Sequence, residues 1–272
     1  LLVLASIAVM AMTAPVRAEQ PLEPVSQIAE LKAGEITRIL HAARPGERPD
    51  FSGKFLAYLD LADLNFKGAN LARSDFYGTD FTGANLSGAD LSDTRLDRSV
   101  LIRANLSGAK LVRATIYRPT IYSDLNNNVA DAPKFAGADL SGVHVQAYMS
   151  GADFRGADLT AADFRPLESR PGQGTLATAY SNVLKYCDFS GARMANADFQ
   201  RAVMWFARFT GADLSGVNFI DADLSNANFA GADVSGANFA GADLDGADLS
   251  RARNLALAKG LDSARHYRGS QH

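Results

Sequence analysis

The chain has 272 residues, enough for one large domain or two ordinary ones, and its 47% apolar and 21% charged residues are a globular composition. With 23 Gly and 9 Pro it is neither collagen-like nor disordered in composition, and a formal charge of −3 denies it the basic footprint that general nucleic-acid binding requires. The single cysteine, Cys187, excludes an intramolecular disulfide, so the fold has to stand without covalent staples.

Taken in chain order, residues 1–18 come first. Leu1 to Met12 is apolar apart from one serine, and Val16-Arg17-Ala18 is a small-residue cleavage pattern. This predicts a secretory signal cut before Glu19, and hence a periplasmic protein. The run is too short to span a bilayer, and no other segment is long and apolar enough to do so. Removing residues 1–18 takes away only Arg17 and moves the formal charge from −3 to −4. Residues 19–48 follow, with Val25, Ile28, Leu31, Ile36, Ile39 and Leu40 spaced for one amphipathic helix or two short ones, closed by Pro45-Gly46. They predict a helical N-terminal cap.

From Phe51 an apolar residue recurs every fifth position. With the centre of each unit called i, the centres run from Phe51 to Ile121, then Phe135 to Phe164, then Leu184 to Leu249, a total of 36 units. Position i−2 is restricted as well: in the last run it is Ala in 11 of 14 units, the exceptions being Asn182, Cys187 and Val217. Positions i−2 and i on one side, with a polar i−1 opposite, make a strand three residues long. The next two residues are often Ser-Gly, Ala-Gly or Thr-Gly, which is turn chemistry. A period of five fits neither helix nor long strand, so the chain has to turn a corner every five residues.

The pattern A-(D/N)-(L/F)-(S/T/R)-G, as in Gly83–Leu91 and Gly211–Leu214, resembles the pentapeptide repeat family over residues 49–251. The resemblance implies an all-β solenoid: a right-handed quadrilateral β-helix with four units per coil. The 36 units then make about nine coils, a rod of roughly 43 Å at about 4.8 Å per coil. A 20-residue turn predicts columns, with Phe189, Phe209 and Phe229 stacked on one side of the core and Phe199, Phe219 and Phe239 on the other. It also puts Asn65, Asn85 and Asn105 in one column, and Arg73, Asp93 and Arg113 at one corner. Residues 252–272, with Leu255, Leu257 and Leu261, predict a C-terminal cap that can also serve homo-oligomerisation.

Two insertions break the pattern, at 122–134 and 165–183. Phe164 and Leu184 lie 20 residues apart, the length of a coil, which predicts that the register survives the second break. In the first, Asp124, Asn126 and Asn128 begin like a calcium loop, but Val129 and Phe135 stand where an EF-hand needs Gly and Glu, so a polar loop is expected.

No catalytic constellation, metal-ligand spacing or cofactor motif is present. His41, His144, His266 and His272 are scattered, and Cys187 occupies an Ala position, which predicts a buried, small apolar role. The expectation is a non-enzymatic protein that binds a protein partner or serves as a scaffold, with no cofactor, metal or nucleic acid.

Charge along the rod is uneven. Residues 95–118 are basic, with Arg98, Arg103, Arg113 and Arg118 as candidate contacts; residues 209–250 hold seven Asp and no Lys or Arg, with Asp213, Asp223, Asp233, Asp243, Asp245 and Asp248 as candidates. Some pentapeptide repeat proteins mimic duplex DNA and bind DNA gyrase, which the resemblance implies as an alternative for a cytoplasmic chain. DNA carries one charge per about 1.7 Å. A charge of −4 over roughly 43 Å is several times sparser.

Overall fold

A computed structural model of the chain describes residues 28–66, 68–123, 129–166 and 181–267. The signal segment and the D-x-N-x-N motif lie outside the described residues.

Each unit makes one short strand and one corner. All 36 centres are buried, the most accessible being Leu249 at 6%. The i−1 residues pair in parallel from coil to coil, as in Asp60↔Asp80 and Asp213↔Asp233, usually 20 residues apart. Among the described residues only Thr115–Tyr117 (β1) and His144–Gln146 (β2) are long enough to count as strands, and they too pair in parallel. The result is a four-sided parallel β-helix, with sides numbered from Phe51 as the first face. Both predicted phenylalanine columns form. Phe209 stacks between Phe189 at 5.3 Å and Phe229 at 4.9 Å, while Phe219 lies between Phe199 at 6.0 Å and Phe239 at 5.4 Å. The columns meet edge to face across the core, as between Phe209 and Phe219.

The corners explain the rest of the repeat. The carbonyl of i accepts from the N–H of i+3, as from Ala84 to Phe81, and residue i+2 takes a positive φ in every coil. Glycine suits that site because it has no Cβ to clash there. The Asp or Asn at i−1 turns its Oδ1 onto the N–H two residues on; Asp213 does so to Ser215 at 3.0 Å and Asn238 to Ala240 at 3.1 Å. Its first task is therefore local: it fixes the turn.

The breaks differ from the sequence expectation. After the first insertion Asn105 pairs with Lys134, an offset of 29, so the loop adds nine residues at the corner between the third and fourth faces. The unit ending at Met149 is one residue short, and Lys134 pairs with Asp153 at an offset of 19. After the second insertion Asp163 pairs with Asp198, an offset of 35. The segment between Phe164 and Leu184 therefore replaces one ordinary corner, between the second and third faces, and carries 15 extra residues; it is no full coil. Its length matched a coil by coincidence, and only the ladder partners separate the two cases. The 36 units still make nine coils because none is lost.

Asn182 repairs this junction. It fills an i−2 site where Ala is the rule and is fully buried. Its Nδ2 donates to the carbonyls of Val145 (3.1 Å) and Phe164 (2.5 Å), and its Oδ1 accepts from Ala147 N–H (2.7 Å). Those are backbone groups that the irregular coil would otherwise leave buried and unpaired.

At the N-terminal end a helix, Ala33–Ala42 (α1), lays Ile36 and Leu40 on the first coils. Ile39 faces solvent at 42%, because a ten-residue helix offers the rod only one i, i+4 pair, and Ile28, which lies ahead of α1, is 91% exposed. Ahead of α1, Glu30 accepts from Phe55 N–H through its carboxylate at 2.9 Å and donates its own N–H to the Phe55 carbonyl at 2.9 Å. This covers part of an otherwise open strand edge. At the other end the ladder runs on past Leu249: Arg253, Lys259 and Arg265 pair with Asp233, Asn238 and Asp243. Among these residues Leu255 is half-buried and Leu257 is 62% exposed.

Cys187 is fully buried, and its thiol donates to the Met149 carbonyl at 3.1 Å; burial pushes its pKa up to about 12. The folded protein is expected to resist thiol reagents at neutral pH and to label stoichiometrically once unfolded. Labelling of the native protein at the rate of a free thiol would contradict this placement.

Candidate interaction surface

The acidic candidates divide among different sides. Asp213 and Asp233 stack on the first face, Asp223 and Asp243 on the third, Asp248 lies on the fourth and Asp245 at the corner between the last two. The acidic stacks are also bracketed by cations. Arg193 and Arg253 flank Asp213 and Asp233 in their column, and Arg265 and His266 approach Asp243 at 3.8 and 2.8 Å. Asp233 further accepts from the Asn254 amide at 3.0 Å and from Ser235, which hold its pKa down to about 2.

The basic candidates all occupy the positive-φ corner site i+2. A non-glycine residue there costs on the order of 1 kcal/mol. Arg98 and Arg118 share the corner between the second and third faces and are the pair that the fold brings together. Arg113 lies at the corner between the first and second faces, in a two-pronged pair with Asp93 at 2.8 and 2.7 Å; Arg103, at the corner between the third and fourth, meets Asp131 at 3.4 Å. In the asparagine column Asn85 donates to Asn65 at 3.4 Å, while the Asn85 and Asn105 side-chain oxygens serve their own turns.

A different group of residues, which the sequence reading did not single out, stands on the third face. Of the 36 i−1 positions only five are apolar: Phe55, Val100, Tyr148, Val183 and Val203. Four of them fall on one face in two paired stretches, Val100 with Thr120 and Tyr148 with Val183 and Val203, which the order of units sets one after the other, with Asp80 before them and Asp223 after. Beside this column, at the corner between the third and fourth faces, Tyr186 and Phe206 stack at 5.2 Å while 56% and 46% exposed. Lys185 lies 3.8 Å over the Trp205 ring. On the other side of the column run Arg98, Arg118 and Arg201, all exposed. Where the short unit breaks the ladder, a pocket of about 270 Å³ opens among Arg118, Pro119, Gln146, Ala147, Tyr148 and Ser181. Both insertions leave the rod from the two corners that bound this same face.

A family profile described as "Pentapeptide repeats" matches in eight copies, over residues 56–88, 79–116, 134–165, 183–216 and 218–253. The chain belongs to the pentapeptide repeat family. Members of that family fold as right-handed quadrilateral β-helices, in keeping with the ladder described above. Among solved structures the chain is similar to HetL, a pentapeptide repeat protein involved in heterocyst differentiation regulation in the cyanobacterium Nostoc sp. strain PCC 7120. The two are 27% identical over 86% of this chain and 96% of that one, with a TM-score of 0.36. One structure of QnrB1, a plasmid-mediated fluoroquinolone resistance protein, is 22% identical over 78% of this chain and 93% of that one, with a TM-score of 0.30. A pentapeptide repeat protein from the Arabidopsis thaliana thylakoid lumen is 25% identical over 49% of this chain and 79% of that one, with a TM-score of 0.17. No curated protein sequence matches the chain significantly.

The repeat's carboxylates make its stability acid-sensitive. Burial raises the pKa of Asp163, but hydrogen bonds from His144 and Arg165 outweigh it and hold the group well below the carboxylate range. Asp233 is lowered to about 2. Depressed folded-state values mean stability that is present above the unfolded pKa of about 3.9 and lost as pH falls through the folded pKa. Melting temperature is therefore expected to fall steadily from about pH 4 to about pH 2. A flat profile across that window in thermal melts would rule out this role for the turn carboxylates.

Proposed function

We propose that this chain is a non-enzymatic interaction rod of the periplasm, which presents a rigid side surface to a protein partner. The observation that carries the reading is the solvent-exposed set Tyr148, Tyr186, Trp205 and Phe206, gathered on and beside the third face, where four of the five apolar i−1 residues also stand. A contiguous exposed apolar patch on an ordered β-surface marks an interaction site more often than a packing need. Among the described residues no group of His, Cys, Asp and Glu is arranged to hold a metal, and Cys187 is buried away from solvent. Export is supported by the apolar run and small-residue pattern of residues 1–18.

The test is fractionation of a tagged full-length copy, followed by crosslinking in the fraction that holds it. A periplasmic protein crosslinked to one recurrent partner agrees with the reading. A cytoplasmic protein that inhibits DNA gyrase supercoiling would replace it with the DNA-mimic alternative, which the seven aspartates of residues 209–250 favour.

A further inference from the structure

We infer that the third face docks a short acidic segment of a partner protein, with one bulky apolar side chain of that segment seated in the pocket beside Tyr148. The inference rests on the interaction-rod reading and adds to it the face, the extent and the chemistry of the partner.

The extent comes from the order of units on this face. Val100 to Val203 covers five coils, or roughly 19 Å along the axis at about 4.8 Å per coil. Aspartates close both ends of the column, Asp60 and Asp80 before it, Asp223 and Asp243 after it. An acidic occupant is welcome between those limits and repelled beyond them. That is the reason for a short protein segment rather than a polyanion: a nucleic-acid strand tracking the axis would run onto carboxylates in either direction.

The charge comes from the rims. Arg98, Arg118 and Arg201 border the apolar column on one side, and Lys185 stands among the aromatics on the other. Arg98 and Arg201 make no ion pair with a described residue, unlike Arg113, which is committed to Asp93. The anchor comes from the pocket. At about 270 Å³ it has room for a single bulky side chain. Its walls combine Tyr148 and Pro119 with the Arg118 side chain, so an aromatic anchor would have both apolar contact and a neighbouring cation. The pocket lies beside the coil that is one residue short at Met149, between Pro119 and Ser181, where the chain re-enters the rod.

The test pans a phage library of random dodecapeptides against the folded wild-type protein. Each enriched sequence, synthesised with a fluorescent label, is then titrated by anisotropy against three double variants. Tyr186→Asn with Phe206→Asn removes the aromatic rim, and Arg98→Asp with Arg118→Asp reverses the basic one. Asp213→Asn with Asp233→Asn is the control on the first face. Asn and Asp already hold the same positive-φ corner at Asn226 and Asp221, so the first two variants keep the turns; melting curves check this. The expected result is enrichment of acidic peptides that contain an aromatic residue. Their binding should weaken by about tenfold or more in each third-face variant, by less than about twofold in the control, and with rising salt.

No enrichment, enrichment of basic or neutral peptides, or equal binding by the third-face variants would overturn the inference. Binding of a labelled oligothymidylate that the same variants abolish, with no peptide enriched, would overturn the partner class. The partner crosslinked by the wild-type protein keeps the two readings apart. If the third-face variants capture it equally well, this inference fails while the interaction-rod reading stands; if the wild-type protein captures none, the broader reading fails first.

Discussion

Replacing Asn182 with alanine is expected to destabilise the rod by about 3–5 kcal/mol, even though alanine is the residue that the repeat prefers at that site. The consensus argument points the other way, because 11 of the 14 equivalent positions in the last run are already Ala. Those alanines, however, sit in coils whose backbone groups pair regularly. Asn182 sits where the chain re-enters after the second insertion, beside the unit that is one residue short. There it satisfies the Val145 and Phe164 carbonyls and the Ala147 N–H, all through one side chain. Truncation leaves these buried groups without partners, at about 1–3 kcal/mol each, and leaves a hole the size of an amide. Urea unfolding followed by circular dichroism measures the loss. A change within about 0.5 kcal/mol of wild type would mean that water or a small backbone shift replaces the amide. Asn182→Asp should be destabilising as well, because a carboxylate can take the Ala147 bond and cannot donate to either carbonyl.

The second large effect is expected from Phe209→Ala, at about 3–5 kcal/mol. Phe209 is fully buried, stacked between two rings of its own column and edge-on to Phe219 in the other. In a solenoid each coil touches only its neighbours, so the cost falls on the junction between adjacent coils rather than on the molecule evenly. The urea transition should therefore broaden or split. Cys187 gives a local reading of this, because it belongs to the unit stacked directly on that of Phe209, with Cys187 accepting from Arg208 N–H through its carbonyl at 3.0 Å. Thiol labelling should begin at lower urea in the variant than loss of the whole signal does. Labelling and circular dichroism that move together would show instead that the rod unfolds as one cooperative unit.

Much of this molecule was legible without coordinates. The period of five, the restricted i−2 and i positions and the small residues at the corner point to short strands that turn every five residues, because a helix repeats at 3.6 and a long strand at 2. With the four-unit coil that the family resemblance implies, the phenylalanine columns and the stacked aspartates on separate faces follow, the restricted i−2 position predicts the burial of Cys187, and each is found where expected. The i−1 aspartates were harder to read. Their acidity suggested a binding surface, whereas their first use is to cap the backbone of their own turn, which a carboxylate does no better than the asparagines that alternate with it.

Tertiary structure decided what happens wherever the spacing departs from 20. The offsets of 29, 19 and 35 set which unit lies on which face after each irregularity, and a composition or spacing argument cannot choose between an extra coil and an excursion at one corner. That choice has consequences beyond bookkeeping of coils. With the wrong offset Tyr148, Val183 and Val203 scatter over different sides; with the right one they line up under Val100 between a row of arginines and a row of aromatics. The sequence by itself determined which residues of each unit face the core, because burial acts on each five-residue unit alone. The fold determined the surface, because neighbours there are residues one coil apart, and only the hydrogen-bonded ladder says how long each coil is.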